Sequence, residues 1–211
     1  MNPYQETIRT FDKHAMGYQQ KYMDVGHYSE GLNFLTDSLM PSASILELGC
    51  GPGNVSRYLL QRRSDFVLKG TDASPEMVSL ARKNNPVANF EVMDARAIDQ
   101  LETTFDSIVC AFVLPYLSAE DVQKLILDAF NLLDEAGMIY LSTMEDEYEK
   151  SGYRFSADGK DRCYMYFYKA EEFCLWLENA GFKIAYLKRQ PFPPEGEQTA
   201  TDLIIIASKN R

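Results

Sequence analysis

Residues Ser44 to Asn54, Ser-Ile-Leu-Glu-Leu-Gly-Cys-Gly-Pro-Gly-Asn, constrain this chain more than any other stretch. An apolar run with one acid in it, Glu47, ends in glycines at 49, 51 and 53. A helical pattern carried by Val55, Tyr58, Leu59 and Leu60 begins at once. A strand covered on both faces needs such an unbroken run, and the glycines allow a tight turn into its crossover helix. They also let the backbone pass close to a ligand, because any β-carbon there would take the ligand's space. Glu47, an acid inside an apolar strand, requires a polar partner, and a ligand is one way to supply it. The dinucleotide spacing Gly-x-Gly-x-x-Gly needs a glycine at 54, where Asn54 stands.

The pattern Glu-x-Gly-x-Gly-x-Gly over Glu47–Gly53 resembles motif I of the class I S-adenosylmethionine (SAM)-dependent methyltransferases of the small-molecule type. The resemblance implies an α/β fold. It has a Rossmann-like, mostly parallel seven-stranded sheet with helices on both faces, a C-terminal antiparallel β-hairpin and an N-terminal helical cap. The implied cofactor is SAM, with S-adenosylhomocysteine as product and a small molecule as methyl acceptor. The alternative on the same fold is a non-catalytic SAM-binding or regulatory protein.

Acids recur at strand ends. Phe66–Asp72 reads as a second strand ending in Asp72, and a carboxylate there accepts ribose hydroxyls. The next helix has Ser74 as N-cap and Pro75 at its first position. Phe90–Ala95 reads as a third strand with Asp94 near its end; the family position it matches takes the adenine amino group, whereas a strand-end Asp by itself is more often a cap. Phe105–Phe112 is the fourth strand and runs into Leu114-Pro115-Tyr116, with Pro115 where relatives often carry histidine. Ser118 caps a helix to about Leu133, and Met138–Met144 is the fifth strand. After helix 170–180, strands 182–190 and 202–208 flank a Pro/Gly-rich connection too short for a parallel crossover.

Upstream, 4–22 reads as one helix and 29–40 as a second with Ser29 as N-cap, together making the cap over 1–42 of a single 1–211 domain. Phe11-Asp12-x-x-Ala15-x-x-Tyr18 resembles a segment whose aromatic lies over SAM; Tyr18 as a packing residue is the other reading. The aromatic-rich insertion 145–168 reads as a substrate lid or as an interface or edge strand. The implied cofactor site comprises Tyr18, Glu47, Gly49, Cys50, Gly51, Gly53, Asp72, Ala73, Met77, Asp94, Ala95, Ala111 and Phe112. Acceptor contacts are expected from His14, Tyr22, Tyr116, Tyr153 and Tyr166, and no catalytic base is named.

Composition narrows the rest. A net charge of −10 over 211 residues argues against nucleic acid, whose phosphates demand a basic face. Cys50, Cys110, Cys163 and Cys174 form no Cys-x-x-Cys pair, and with only His14 and His27 a metal site is not expected. No apolar run reaches the length of a membrane span, and Met1–Glu6 lacks a signal-like pattern, so the expectation is a cytoplasmic monomer or homodimer.

Overall fold

The computed structural model describes residues 2–156, 158–193 and 200–209. Two helices, α1 (Pro3–Lys13) and α2 (Ala15–Tyr22), lead into a 3-10 turn, Gly26–Tyr28, and helix α3 (Ser29–Ser38). The alternation follows: β1 (Ser44–Leu48), α4 (Asn54–Arg62), β2 (Val67–Asp72), α5 (Pro75–Asn84), β3 (Asn89–Val92), β4 (Phe105–Ala111), α6 (Ala119–Leu132) and β5 (Leu133–Glu145). The chain then forms β6 (Gly152–Phe155), β7 (Arg162–Met165), α7 (Ala170–Ala180), β8 (Phe182–Phe192) and β9 (Ala200–Lys209).

Among the described residues, seven strands form one sheet in the order β3-β2-β1-β4-β5-β9-β8. The five strands β1 to β5 pair in parallel, while β9 runs antiparallel to β5 and β8 antiparallel to β9. This is the expected mostly parallel sheet with its C-terminal hairpin. The Pro/Gly-rich connection inside that hairpin lies mostly outside the described residues.

Strand alternation sorts the core into two layers. Ile45, Val109, Tyr140, Ile204 and Ile206 pack against α3, α4 and α5. Leu46, Leu48, Ile108, Leu141, Leu203 and Ile205 pack against α6 and α7. Side chains two apart share a face and neighbours oppose, so an apolar run in a central strand fills both layers. The helix signals also hold: the Ser74 hydroxyl accepts from the Met77 N–H at 3.1 Å, and Ser118 from the Asp121 N–H at 3.2 Å.

Several boundaries differ from the sequence reading. The expected helix over 4–22 breaks at His14 (φ −106°, ψ 14°), where Asp161 holds both Lys13 and His14, at 2.6 and 2.8 Å. Ser29 is the first residue of α3 and gives no side-chain cap, because the 3-10 turn delivers Tyr28 to that position. β3 stops at Val92, since Asp94 caps the short 3-10 stretch Ala95–Gln100 by accepting from the Arg96 N–H at 2.9 Å. β5 starts earlier than Met138, with Leu133 paired to Phe105 and the turn residue Ala136 at φ 61° inside an irregular register. The 145–168 insertion holds an antiparallel two-stranded sheet, β6–β7, that packs on α1.

The glycine turn is fixed by packing as much as by torsion. A β-carbon on Gly53 (φ 78°) would fall 2.3 Å from Asn85 Nδ2 and 3.2 Å from the Ala81 backbone. Asn85 is buried and donates to the Gly53 carbonyl at 2.9 Å, so neither partner has room to move. Gly53→Ala therefore combines left-handed strain with overpacking and is expected to cost about 2 kcal/mol or more. Urea denaturation measures it; an unchanged midpoint would refute the packing account.

Candidate functional site

The carboxyl ends of β1, β2 and β4 open into one cavity of about 80 Å³. Gly49 and Gly51 supply one wall, and Asp72, Ala73, Ser74 and Met77 a second. Ala111, Phe112, Val113 and Tyr116 form the third, with Met93 and Ala95 beside them. Strand order explains the opening: β1 has β2 on one side and β4 on the other, so the chain leaves the two halves in opposite directions there.

Among the described residues Asp72 is the one carboxylate lining this cavity. Its Oδ2 accepts from the Gly51 N–H at 2.9 Å and its Oδ1 from the Ser74 N–H at 2.8 Å. Burial pushes its carboxyl above the usual range, while these two bonds favour the anion. Each oxygen has a second lone pair, so both remain able to accept from a ligand. Gly51 sits at φ 52°, and a β-carbon on it would point across the cavity to within 3.8 Å of the Tyr18 ring. Phe112 holds φ 57°, a left-handed conformation that is rare for a bulky residue, and its N–H donates to the Ser142 carbonyl at 3.0 Å. Such strain at a sheet's ligand edge is a mark of function.

Helix α1 closes the top. Tyr4, Thr7, Ile8 and Phe11, at helical spacing, line the cavity with Tyr18 from α2. Phe11 meets Tyr18 and Tyr116 edge-on at 5.8 and 4.9 Å between ring centres. Asp12 accepts from the Ser74 hydroxyl at 2.7 Å and the Glu76 N–H at 3.0 Å, so it caps α5 from outside. Ala15 packs into the same seam beside Met77 and Leu80. These contacts explain the Phe-Asp-x-x-Ala-x-x-Tyr spacing: a ring, a cap, a small buried residue and a second ring dock two helices on α5. The β6–β7 hairpin braces α1 from behind, through Thr10 Oγ1 to the Arg162 carbonyl at 2.7 Å and Arg162 to Glu6 at 2.9 Å.

Of the residues singled out in the sequence, Tyr18, Gly49, Gly51, Asp72, Ala73, Met77, Ala95, Ala111, Phe112 and Tyr116 line the cavity. Gly53 and Cys50 do not; the first packs on Asn85 and the second is buried in the core. Asp94 is fully engaged elsewhere. Arg96 forks onto it with its shortest contact at 2.7 Å, and the Tyr4 hydroxyl donates to it at 2.7 Å. Burial raises its carboxyl, but these partners outweigh burial and hold it below the usual range.

Tyr22 stands one ring further out, 4.7 Å from Tyr18. His14 is half exposed on Asp161, Tyr153 meets Tyr164 edge-on and lies under Arg162, and the Tyr166 N–H reaches the Pro115 carbonyl. None of these four lines the cavity among the described residues, nor does any other residue of the insertion. The sequence reading missed Tyr4, Thr7, Ile8, Phe11, Ser74, Met93 and Val113 as lining residues. The one usable signal was the apolar stripe of α1, which reads equally well as ordinary core packing.

A family model described as a methyltransferase domain matches residues 18–187. An uncharacterized methyltransferase of Alkaliphilus oremlandii is 25% identical over 166 residues, spanning 76% of this chain and 75% of that protein. Trans-aconitate 2-methyltransferase of Variovorax paradoxus is 31% identical over 116 residues, 55% of this chain and 44% of that enzyme. In structure, the magnesium protoporphyrin IX methyltransferase of Synechocystis PCC 6803 with bound SAM superimposes with TM-score 0.74 at 18% identity. That match covers 100% of this chain and 98% of the other. The DhpI–SAH complex gives TM-score 0.75 at 16% identity over 99% and 97% of the chains. At these identities the structural likeness concerns the fold.

Glu47 finds its partner inside the protein. It is 1% exposed and accepts from the Ser56 hydroxyl at the start of α4, so no ligand is needed to satisfy it. Burial pushes its carboxyl from the usual 4.5 up to about 8, against the Ser56 bond, which favours the anion. The folded state thus keeps a proton that the unfolded state releases between those values, and stability falls as pH rises through that window. Glu47→Gln keeps the hydrogen bond without the charge. It is expected to raise the melting temperature at pH 8, change it little at pH 5, and flatten the slope between. A variant whose slope matches wild type would show that Glu47 does not carry this proton.

Proposed function

The chain belongs to the SAM-dependent methyltransferases, and from that footing we propose that it transfers a methyl group from SAM to a small-molecule acceptor. The observation that carries the reading is the cavity itself: a positive-φ glycine turn faces an acid oriented by two backbone N–H groups, at the switch point of a parallel sheet. When bound, SAM supplies a methyl group already activated on a sulfonium.

The chain's residues orient and desolvate. Asp72 presents lone pairs suited to ribose hydroxyls, and Gly51 leaves the space that any β-carbon would fill. Met77, Ala95 and Val113 offer an apolar slot suited to a flat heterocycle. Asp94, held by Arg96 and Tyr4, serves as a cap and as a latch for α1. In-line methyl displacement asks mainly for such positioning and exclusion of water. The cavity is smaller than the few hundred Å³ usual for ligand pockets, so α1 or its rings yield when the cofactor enters.

The net charge of −10 favours a small molecule over nucleic acid as acceptor. Among the described residues no helix is long and apolar enough to cross a membrane. The four free thiols fit a reducing compartment such as the cytoplasm.

Calorimetric titration with SAM and with NADH tests the cofactor reading, and methyl-labelled SAM with a metabolite extract tests transfer. Binding NADH in preference to SAM would overturn the reading. Asp72→Ala is expected to weaken SAM about ten- to hundredfold, from the loss of about 1.5–3 kcal/mol of charge-assisted bonding, and to leave free methionine affinity nearly unchanged. Gly51→Val is expected to abolish SAM binding with the circular dichroism spectrum preserved. Wild-type affinity in that variant would mean the turn does not touch the cofactor.

A further inference from the structure

Behind Phe112 lies a second polar group that the cofactor site does not use. Asp202, 1% exposed, stands near the start of β9, opposite Met144 of β5 and Gln190 of β8, at the sheet's carboxyl edge. Its Oδ2 accepts from the hydroxyl of half-buried Tyr28 at 2.7 Å. The Tyr28 ring lies 4.9 Å from the Phe112 ring, which lines the cofactor cavity. The 3-10 turn bearing Tyr28 is tied to the sheet where the Gln190 amide donates to the His27 carbonyl at 3.2 Å.

A carboxyl buried at a sheet edge costs several kcal/mol unless its lone pairs are met, and one phenol is thin support. Where a structure keeps such groups beside a ligand cavity, a ligand or a proton-transfer task is the usual reason. Burial pushes the Asp202 carboxyl up while Tyr28 and His27 favour its anion. Tyr28 and Tyr140 are the phenols whose charge would meet it.

We propose that Tyr28 and Asp202 form the proton-accepting end of the acceptor site, for an acceptor that attacks through a hydroxyl or amine rather than a carboxylate. The inference rests on the methyltransferase reading. The acceptor's X–H donates to Tyr28 Oη while the lone pair on X forms the bond to the methyl carbon. The methyl–sulfur bond breaks and its electron pair stays on sulfur. The X–H proton passes to Tyr28, whose own proton passes to Asp202, so the sulfonium charge and the carboxylate charge cancel. A carboxylate acceptor fits poorly: among the described residues no Lys, Arg or His lines the cavity, Arg189 is held by Glu145 and Glu171, Lys169 by Glu147, and His27, next to Tyr28, by the Pro191 carbonyl at 3.1 Å. Trans-aconitate would bring its anions up against Asp202.

Methyl-labelled SAM and a bacterial metabolite extract provide the test, with products split by mild alkali, which releases methyl esters as methanol and leaves ethers and amines intact. Alkali-stable label is expected; label recovered as methanol would overturn the inference. Complete absence of label would instead count against methyl transfer itself. On the purified acceptor, Tyr28→Phe and Asp202→Asn should each lower kcat at least tenfold, remove the acidic limb of the kcat/KM profile, and leave SAM affinity within twofold. Variants with wild-type profiles would also overturn it. Independently of turnover, carboxyl-¹³C NMR of the protein alone should find Asp202 titrating above 3.8, and higher again in Tyr28→Phe. Titration of Asp202 at 3.8 or below would refute the relay.

Discussion

A parallel strand with neighbours on both sides must send its chain up and away from its carboxyl end, and in this protein β1 does so in the space of one glycine turn. Gly49 shows how little room there is: a β-carbon on it would fall 2.8 Å from the Val113 side chain, which follows β4. The turns after β1 and β4 therefore touch at their base and diverge above it, and the crevice between them is the cavity. The turn's own N–H groups need acceptors in a place water does not reach freely. Cys50 gives its N–H to the Thr71 carbonyl at 2.9 Å, and Gly51 gives its to Asp72 at 2.9 Å. The same bond makes an acid tolerable at the end of β2 and holds the turn in its left-handed form. Structure and binding chemistry here share one set of hydrogen bonds.

The cover depends on that edge in turn. Helix α1 lays Ile8 and Phe11 on the cavity side, and polar contacts latch it in place: Tyr4 on Asp94, Asp12 on the start of α5, Thr10 and Glu6 on the hairpin. Polar latches at a part-exposed surface contribute modestly each and are exchanged for water at low cost. A cover held this way opens more readily than one held by a core, which suits a site whose contents must turn over. The aromatic insertion belongs to this cover as a brace on α1, which reconciles its rings on both faces with the absence of any of them from the cavity wall.

Glu47 and Asp202 make an instructive contrast. Both are acids 1% exposed in the sheet. Glu47 meets a serine at a helix start and is isolated from the cavity, whereas Asp202 meets a tyrosine whose ring abuts a cavity-lining residue. Depth of burial is the same, so what separates the two acids is the neighbour each one meets.

The strand-turn-helix unit, the parallel sheet, the terminal hairpin and the place of Asp72 at the sheet's carboxyl edge were all legible in the residues, because each rests on local rules. Those rules are an apolar run long enough for one strand, glycines where φ must be positive, and Ser-Pro at a helix start. Asp94 and Glu47 were legible as acids at strand ends, Asp94 with a cap as one of its readings, but their distant partners were not. Tyr4 reaches Asp94, and Ser56 reaches Glu47, only once α1 and α4 pack. The break at His14, the bracing role of β6–β7 and the pairing of Tyr28 with Asp202, 174 residues apart, were decided by tertiary structure alone. A hydrogen bond across that separation leaves no periodicity in the sequence, since either residue by itself reads as an ordinary surface tyrosine or a strand-end acid, and only the fold brings the two to one edge.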